Sequence, residues 1–244
     1  MSSKRRFQVV LYDGASVAES LFAHRSTCAA VQGCMTLILG AWSDYQAETY
    51  KPPVTGRRIR RAPADREQVV CLPLLRTSQE EVLFELSALL GLTVVQAASP
   101  AGSVESALRL ARQGLGSCLV VSNWPAAPQW LVDGKPQTSL LSGLRAGRRL
   151  WTAAGWFRRH GVRASDWPAV LEVRDSTRCT LAVAKNRVRA GEGGDGRYAA
   201  RHTPRPKISR HAPDPRRLRL FLADYLAVDW LEPRQWRRVE EMMA

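Results

Sequence analysis

The chain has 244 residues and a mass of 27.1 kDa, with 45% hydrophobic residues, 36 Lys and Arg against 22 Asp and Glu, a net charge of +14 and a pI of 10.4. That hydrophobic content supports a globular core and excludes a disordered tail, and no apolar run approaches the roughly 20 residues of a membrane span. So large an excess of bases exceeds what solubility requires and favours a polyphosphate partner, nucleic acid above all.

Only five of the bases are lysines, which leaves 31 arginines. A GC-rich codon bias explains that ratio but not the excess of bases over acids. Arginine's planar fork pairs bidentately with phosphate and stacks on unpaired bases. The start, MSSKRRFQVV, carries charge with no apolar core behind it, so a cytoplasmic protein is expected. Cys28, Cys34, Cys71, Cys118 and Cys179 are scattered and never spaced as CxxC, which predicts reduced thiols and disfavours zinc on Cys28 and Cys34.

Residues Phe7 to Tyr12 (FQVVLY) read as a first strand that ends in the turn pair Asp13-Gly14. Ser16 caps a following helix in which Val17, Leu21, His24, Cys28 and Val31 share a face. Lys51 to Arg66 (KPPVTGRRIRRAPADR) reads as a basic loop or arm. Gln68 to Leu75 is a strand that Pro73 stops or moves to an edge, and Thr77 or Ser78 with Glu80 and Glu81 forms a capping box for a helix that Gly91 ends. Thr93 to Gln96 is a strand, Ser103 to Gln113 a helix, and Cys118 to Ser122 a strand.

The spacing then predicts a loop at Asn123 to Pro136, a long helix from Ser139 to His160, a short helix or turn from Ser165 and a strand at Cys179 to Ala184. Lys185 to His211 reads as a tail-like basic insertion, followed by a helix from Asp214-Pro215 and a last short helix from Glu232-Pro233. Two parts are expected. Residues 1–136 would form an α/β core with the basic arm at 51–66, and 137–244 a helical and strand part with the flexible insertion at 185–213. Strand order is not legible from the residues, so a ferredoxin-like sheet and a small parallel sheet both remain open.

Three basic segments stand out as phosphate-tracking surfaces. The arm holds Arg57, Arg58, Arg60 and Arg61. The middle segment holds Arg145, Arg148, Arg149, Arg158, Arg159 and Arg163 with no acid between them, interleaved with Trp151, Trp156 and Phe157 as stacking aromatics. Residues 185–219 hold two lysines and nine arginines, Arg197 and Arg201 among them. Within this last segment Gly193 and Gly194 belong to a glycine-rich stretch, RAGEGGDGR, whose exposed amides suit a phosphate cradle. It is neither a Walker loop nor a dinucleotide fingerprint.

For catalysis the sequence offers no HExxH, no GxSxG and no acidic cluster for two-metal chemistry, so neither metal nor cofactor is expected. Metal-free RNA cleavage needs a proton acceptor and cationic donors, for which His24 and Arg25 are candidates, with His160, His202 and His211 as substitutes. The strand at Phe7 to Tyr12, the helix with His24 and Arg25, the arm at Gly56 to Arg61 and the loop at Gly191 to Gly196 together resemble the arginine-rich CRISPR RNA-processing proteins of the repeat-associated superfamily, type IV-like.

That resemblance implies an α+β fold with a ferredoxin-like (RRM-like) sheet core, an inserted basic arm and a C-terminal helical part. It further implies metal-independent endoribonuclease cleavage of repeat hairpin RNA in antiviral defence. The guide RNA would then stay bound, alongside other effector-complex subunits. Two alternatives stand beside it. One is a non-catalytic RNA-binding subunit of a ribonucleoprotein. The other is a DNA-binding protein of a mobile element that uses Trp156 to Val173 as helix, turn, helix.

Overall fold

The computed structural model describes residues 8–22, 27–44, 67–114, 116–144, 149–193, 198, 206–225 and 237. Five parallel strands form its centre: β1 (Val9–Asp13), β2 (Glu67–Pro73), β3 (Thr93–Ala97), β4 (Cys118–Val121) and β5 (Thr138–Ser142). β6 (Arg149–Trp151) and β7 (Lys207–Arg210) pair antiparallel to β5 and β3, giving the order β6-β5-β4-β1-β2-β3-β7. This corrects the expected ferredoxin-like, RRM-like core. The sheet has seven strands, and its central strands are buried on both faces, as continuous runs such as VVLYD and EQVVCLP require.

Alternation along the strands feeds two cores. Val10, Tyr12, Val70, Leu72, Leu119 and Val121 face one, which is completed by α1 (Gly14–Phe22), α2 (Thr27–Asp44), α3 (Ser78–Leu89) and α8 (Pro215–Tyr225). Val9, Leu11, Val69, Cys71, Cys118 and Val120 face the other, covered by α4 (Pro100–Gly114), α5 (Ala153–His160), α6 (Trp167–Thr177) and α7 (Leu181–Arg189). The helices between β1, β2 and β3 lie on the first face and α4 on the second. The chain winds outward in one direction, then returns past β1 and continues through β4 on the other side. The carboxyl ends of β1 and β4 therefore adjoin at the point where the winding reverses, which is where open α/β sheets place their ligands.

Several sequence expectations change. The stretch 139–160 is not one helix: Leu140 and Leu141 alternate between the two cores as β5, Gly143 turns the chain at φ 78°, and β6 pairs back before α5 begins. Cys179 to Ala184 is not a strand. Thr180 caps α7 through the Val183 amide, and Leu181, Ala184 and Val188 share the helical spacing that faces the second core. Pro73 moves nothing to an edge, because it is the last residue of an interior strand. The 185–213 segment holds most of α7 and the edge strand β7. The capping box at Thr77 and the helix stop at Gly91, φ 72°, stand as the sequence indicated.

Candidate functional site at the strand ends

β1 ends on Asp13, and α1 begins at the next residue with no intervening loop. The close approach requires glycine there: a Cβ on Gly14 would lie 2.7 Å from the Cys71 carbonyl oxygen and 2.5 Å from Leu72 Cδ2. Asp13 is buried and makes two contacts. The Ser122 hydroxyl donates to Oδ2 at 2.6 Å, and the Ser16 amide donates to Oδ1 at 3.3 Å. Burial pushes its pKa from 3.8 up to about 6, opposed by the Ser122 and Ser16 hydrogen bonds and assisted by the charges of Glu80 and Glu19.

Asn123 ties the neighbouring elements together. Its amide donates to Ser16 Oγ at 2.6 Å and its Nδ2 to Ser20 Oγ at 2.9 Å, while its Oδ1 accepts from the amides of Gly143 and Leu144. The carboxyl ends of β1, β4 and β5 and the first turns of α1 are thus joined by one network of neutral hydrogen-bonding groups around Asp13. Beside it opens a pocket of about 430 Å³, lined by Ser122, Asn123, Trp124, Pro125, Ser142 and Trp156 among others.

Trp156 anchors the wall of that pocket. It stacks on His160 at 4.0 Å and meets Trp151 and Trp167 edge to face at 5.1 and 4.8 Å. Burial, Lys185 and Arg159 all lower the His160 pKa, so this ring is neutral near pH 7 and packs as an aromatic. The segment proposed as helix, turn, helix is α5, a short 3-10 helix at Ala164–Asp166 and α6. Trp167, Pro168, Val170, Leu171 and Val173 of α6 are buried, so this helix packs against the core and offers no recognition face.

Among the residues singled out from sequence, Arg158 and Arg159 occupy the last turn of α5 and Arg163 follows it; all three are exposed. Arg189 joins them by donating from Nε to the Gly161 carbonyl at 2.9 Å. Arg149 is exposed on β6, and Gly193 is exposed with open space around it. His24, Arg25, Arg57, Arg58, Arg60, Arg61, Arg145, Arg148, Gly194, Arg197, Arg201 and His202 lie outside the described residues, as do the rest of the arm and, apart from Arg237, the helix expected from Glu232-Pro233. Sequence reasoning passed over Asp13, Ser122 and Asn123, taking Asp13-Gly14 as a turn. The usable signal was a carboxylate closing an apolar strand directly before a capped helix.

No protein-family model matches the sequence, and no curated protein matches it. Solved structures do match in shape. Flap endonuclease-1 from Methanococcus jannaschii superposes with a TM-score of 0.59 at 13% identity, covering 98% of this chain and 92% of that one. The chain has the flap endonuclease fold. The catalytic core of Rad2 in complex with DNA substrate superposes at 0.51 and 10% identity, covering 98% and 94%. The bacteriophage T5 D15 flap endonuclease, in a complex with DNA and metal ions, follows at 0.48 and 11%, covering 96% and 97%.

This fold overturns the resemblance to CRISPR RNA-processing proteins, because five parallel strands in a doubly wound sheet replace the ferredoxin-like core on which it depended. Metal-independent cleavage of hairpin RNA, a guide RNA partner, effector-complex subunits and a role in antiviral defence fall with it, as do the RNA-binding-subunit and mobile-element alternatives. A nuclease of the two-metal kind needs several carboxylates converging within a few ångströms of one another. Among the described residues the strand-end donors do not make that group. Asp13 accepts from Ser122 and Ser16, Glu80 and Glu19 act on it through their charge, Glu80 is engaged with the Thr77 amide, and no three His, Cys, Asp or Glu side chains converge.

Proposed function

We propose that this protein binds DNA at junctions between duplex and single strand, and that it binds without hydrolysing the DNA at the strand-end site. The observation that carries the reading is the donor set at the sheet's reversal point: among the described residues Asp13 is held by Ser122 and Ser16, Glu80 is engaged with the Thr77 amide, and no three carboxylate, His or Cys side chains converge, where metal-dependent phosphodiester hydrolysis requires several carboxylates. Support for DNA comes from the fold shared with flap endonuclease-1 and with the Rad2 core, the latter solved with a DNA substrate.

Support for a phosphate-tracking surface comes from the charge. The chain carries +14, and Arg158, Arg159, Arg163, Arg178 and Arg189 are exposed on and around α5, α6 and α7. Such residues neutralise phosphates and release counterions, so affinity falls steeply with salt. The test is fluorescence anisotropy with three labelled ligands at matched salt: a 5′-flap DNA, the fully paired duplex and an RNA of the flap sequence. Tightest binding to the flap DNA is expected. Equal binding to all three, or preference for RNA, contradicts the reading.

A further inference from the structure

α5 is set in place at both ends: the Thr152 hydroxyl accepts from the Gly155 amide, and Gly161 ends the helix in the left-handed region at φ 67°. That setting buries Trp156 in the second core, and the next residue, a helical step of about 100° further round, faces out. Among the described side chains, Phe157 is the only aromatic ring more than half exposed, at 52%. A single exposed apolar side chain is ordinary, so its surroundings decide what it does. Phe157 borders a cleft of about 170 Å³ with Val162, Arg163, Asp166, Val188 and Arg189. Arg158 and Arg159 follow it on α5, and all four arginines are exposed. Asp166 is the one acid in the cleft lining, and it accepts from the Ser165 hydroxyl at 3.0 Å. Arg189 is held at the cleft edge, donating from Nε to the Gly161 carbonyl at 2.9 Å and from Nη1 to Asn186 Oδ1 at 3.2 Å.

An exposed aromatic face among cations suits a partner that carries both flat rings and phosphates, and a nucleic-acid strand carries both. The cleft is smaller than the roughly 300 Å³ at which small-molecule sites begin, so the ring serves as an open platform that a strand reaches from outside. In a duplex each base face is covered by its neighbours, whereas an unpaired base leaves its face available. We infer that Phe157 stacks on one unpaired base of the DNA, with the arginines around it on the flanking phosphates. The inference rests on the DNA-binding reading above and adds to it the residue that grips the single strand.

The experiment titrates the full chain by anisotropy against two 5′-flap DNAs of equal length and charge, one with a thymidine flap and one with abasic sugars throughout the flap. The wild type is expected to bind the thymidine flap about tenfold more tightly, the modest end of what base stacking on an aromatic side chain supplies. Phe157→Leu keeps an apolar side chain on the surface. It should bring the ratio towards one while its affinity for the abasic flap stays at the wild-type value. Phe157→Tyr keeps the ring and should keep the ratio. Equal wild-type affinity for the two flaps, or a ratio that Phe157→Leu does not change, overturns the platform and leaves the DNA reading standing. Binding to neither flap overturns the DNA reading and the platform with it.

Discussion

Asp13 concentrates the physical tension in this chain. A carboxylate buried with no cation beside it among the described residues is unfavourable, and the Ser122 and Ser16 hydrogen bonds offset only part of its desolvation. Its folded pKa of about 6 lies above the ordinary 3.8, so the folded state binds the proton more readily than the unfolded chain does. The Asp13 contribution therefore favours folding at low pH and is lost as pH rises from about 4 to about 6. Asp13→Asn should accordingly raise stability by about 2 to 3 kcal/mol at pH 8, and its effect should shrink to near zero at about pH 4. Urea denaturation of both proteins across that range checks it. A variant equally destabilised at every pH would mean that the carboxylate acts through its contacts alone. The same residue explains a limit of the sequence: a charge closing a strand looks like a turn until the fold buries it at the sheet's reversal point.

At the scale of elements, helix ends carry the clearest sequence chemistry. Thr77 Oγ1 accepts from the Glu80 amide while the Glu80 carboxylate accepts from the Thr77 amide, so Thr77→Ala should cost about 1 kcal/mol in chemical denaturation. α6 ends differently, on Arg178 in the left-handed region at φ 50°, where a side chain is strained. Arg178→Gly should raise stability by about 1 kcal/mol in the same measurement, and a loss would show that the guanidinium makes a contact outweighing the backbone strain. Elements with caps and long periodic faces, such as α3, α4 and α8, were legible. The short apolar runs at Leu140-Leu141 and Leu181 to Ala184 were not. Four or five apolar residues satisfy strand and helix periods alike, and the partners that decide between them lie far along the chain. Parallel pairing left no local trace, so β1 beside β4 and the site between them had to come from the fold.

For the whole molecule, the arginine excess was legible as a basic surface, while the sheet order, which the residues did not reveal, replaced the expected ferredoxin-like core with a fold shared with flap endonuclease-1. If six phosphates are neutralised, affinity for flap DNA should fall about a thousandfold between 50 and 200 mM salt. A slope near zero would remove the electrostatic account. The central claim, binding without hydrolysis at the strand ends, is tested most directly by incubating saturating protein with 5′-end-labelled flap DNA, with Mg²⁺ or Mn²⁺ present and absent. The DNA is expected to be shifted and intact in every condition. Metal-dependent incision near the junction that Asp13→Asn abolishes would contradict it.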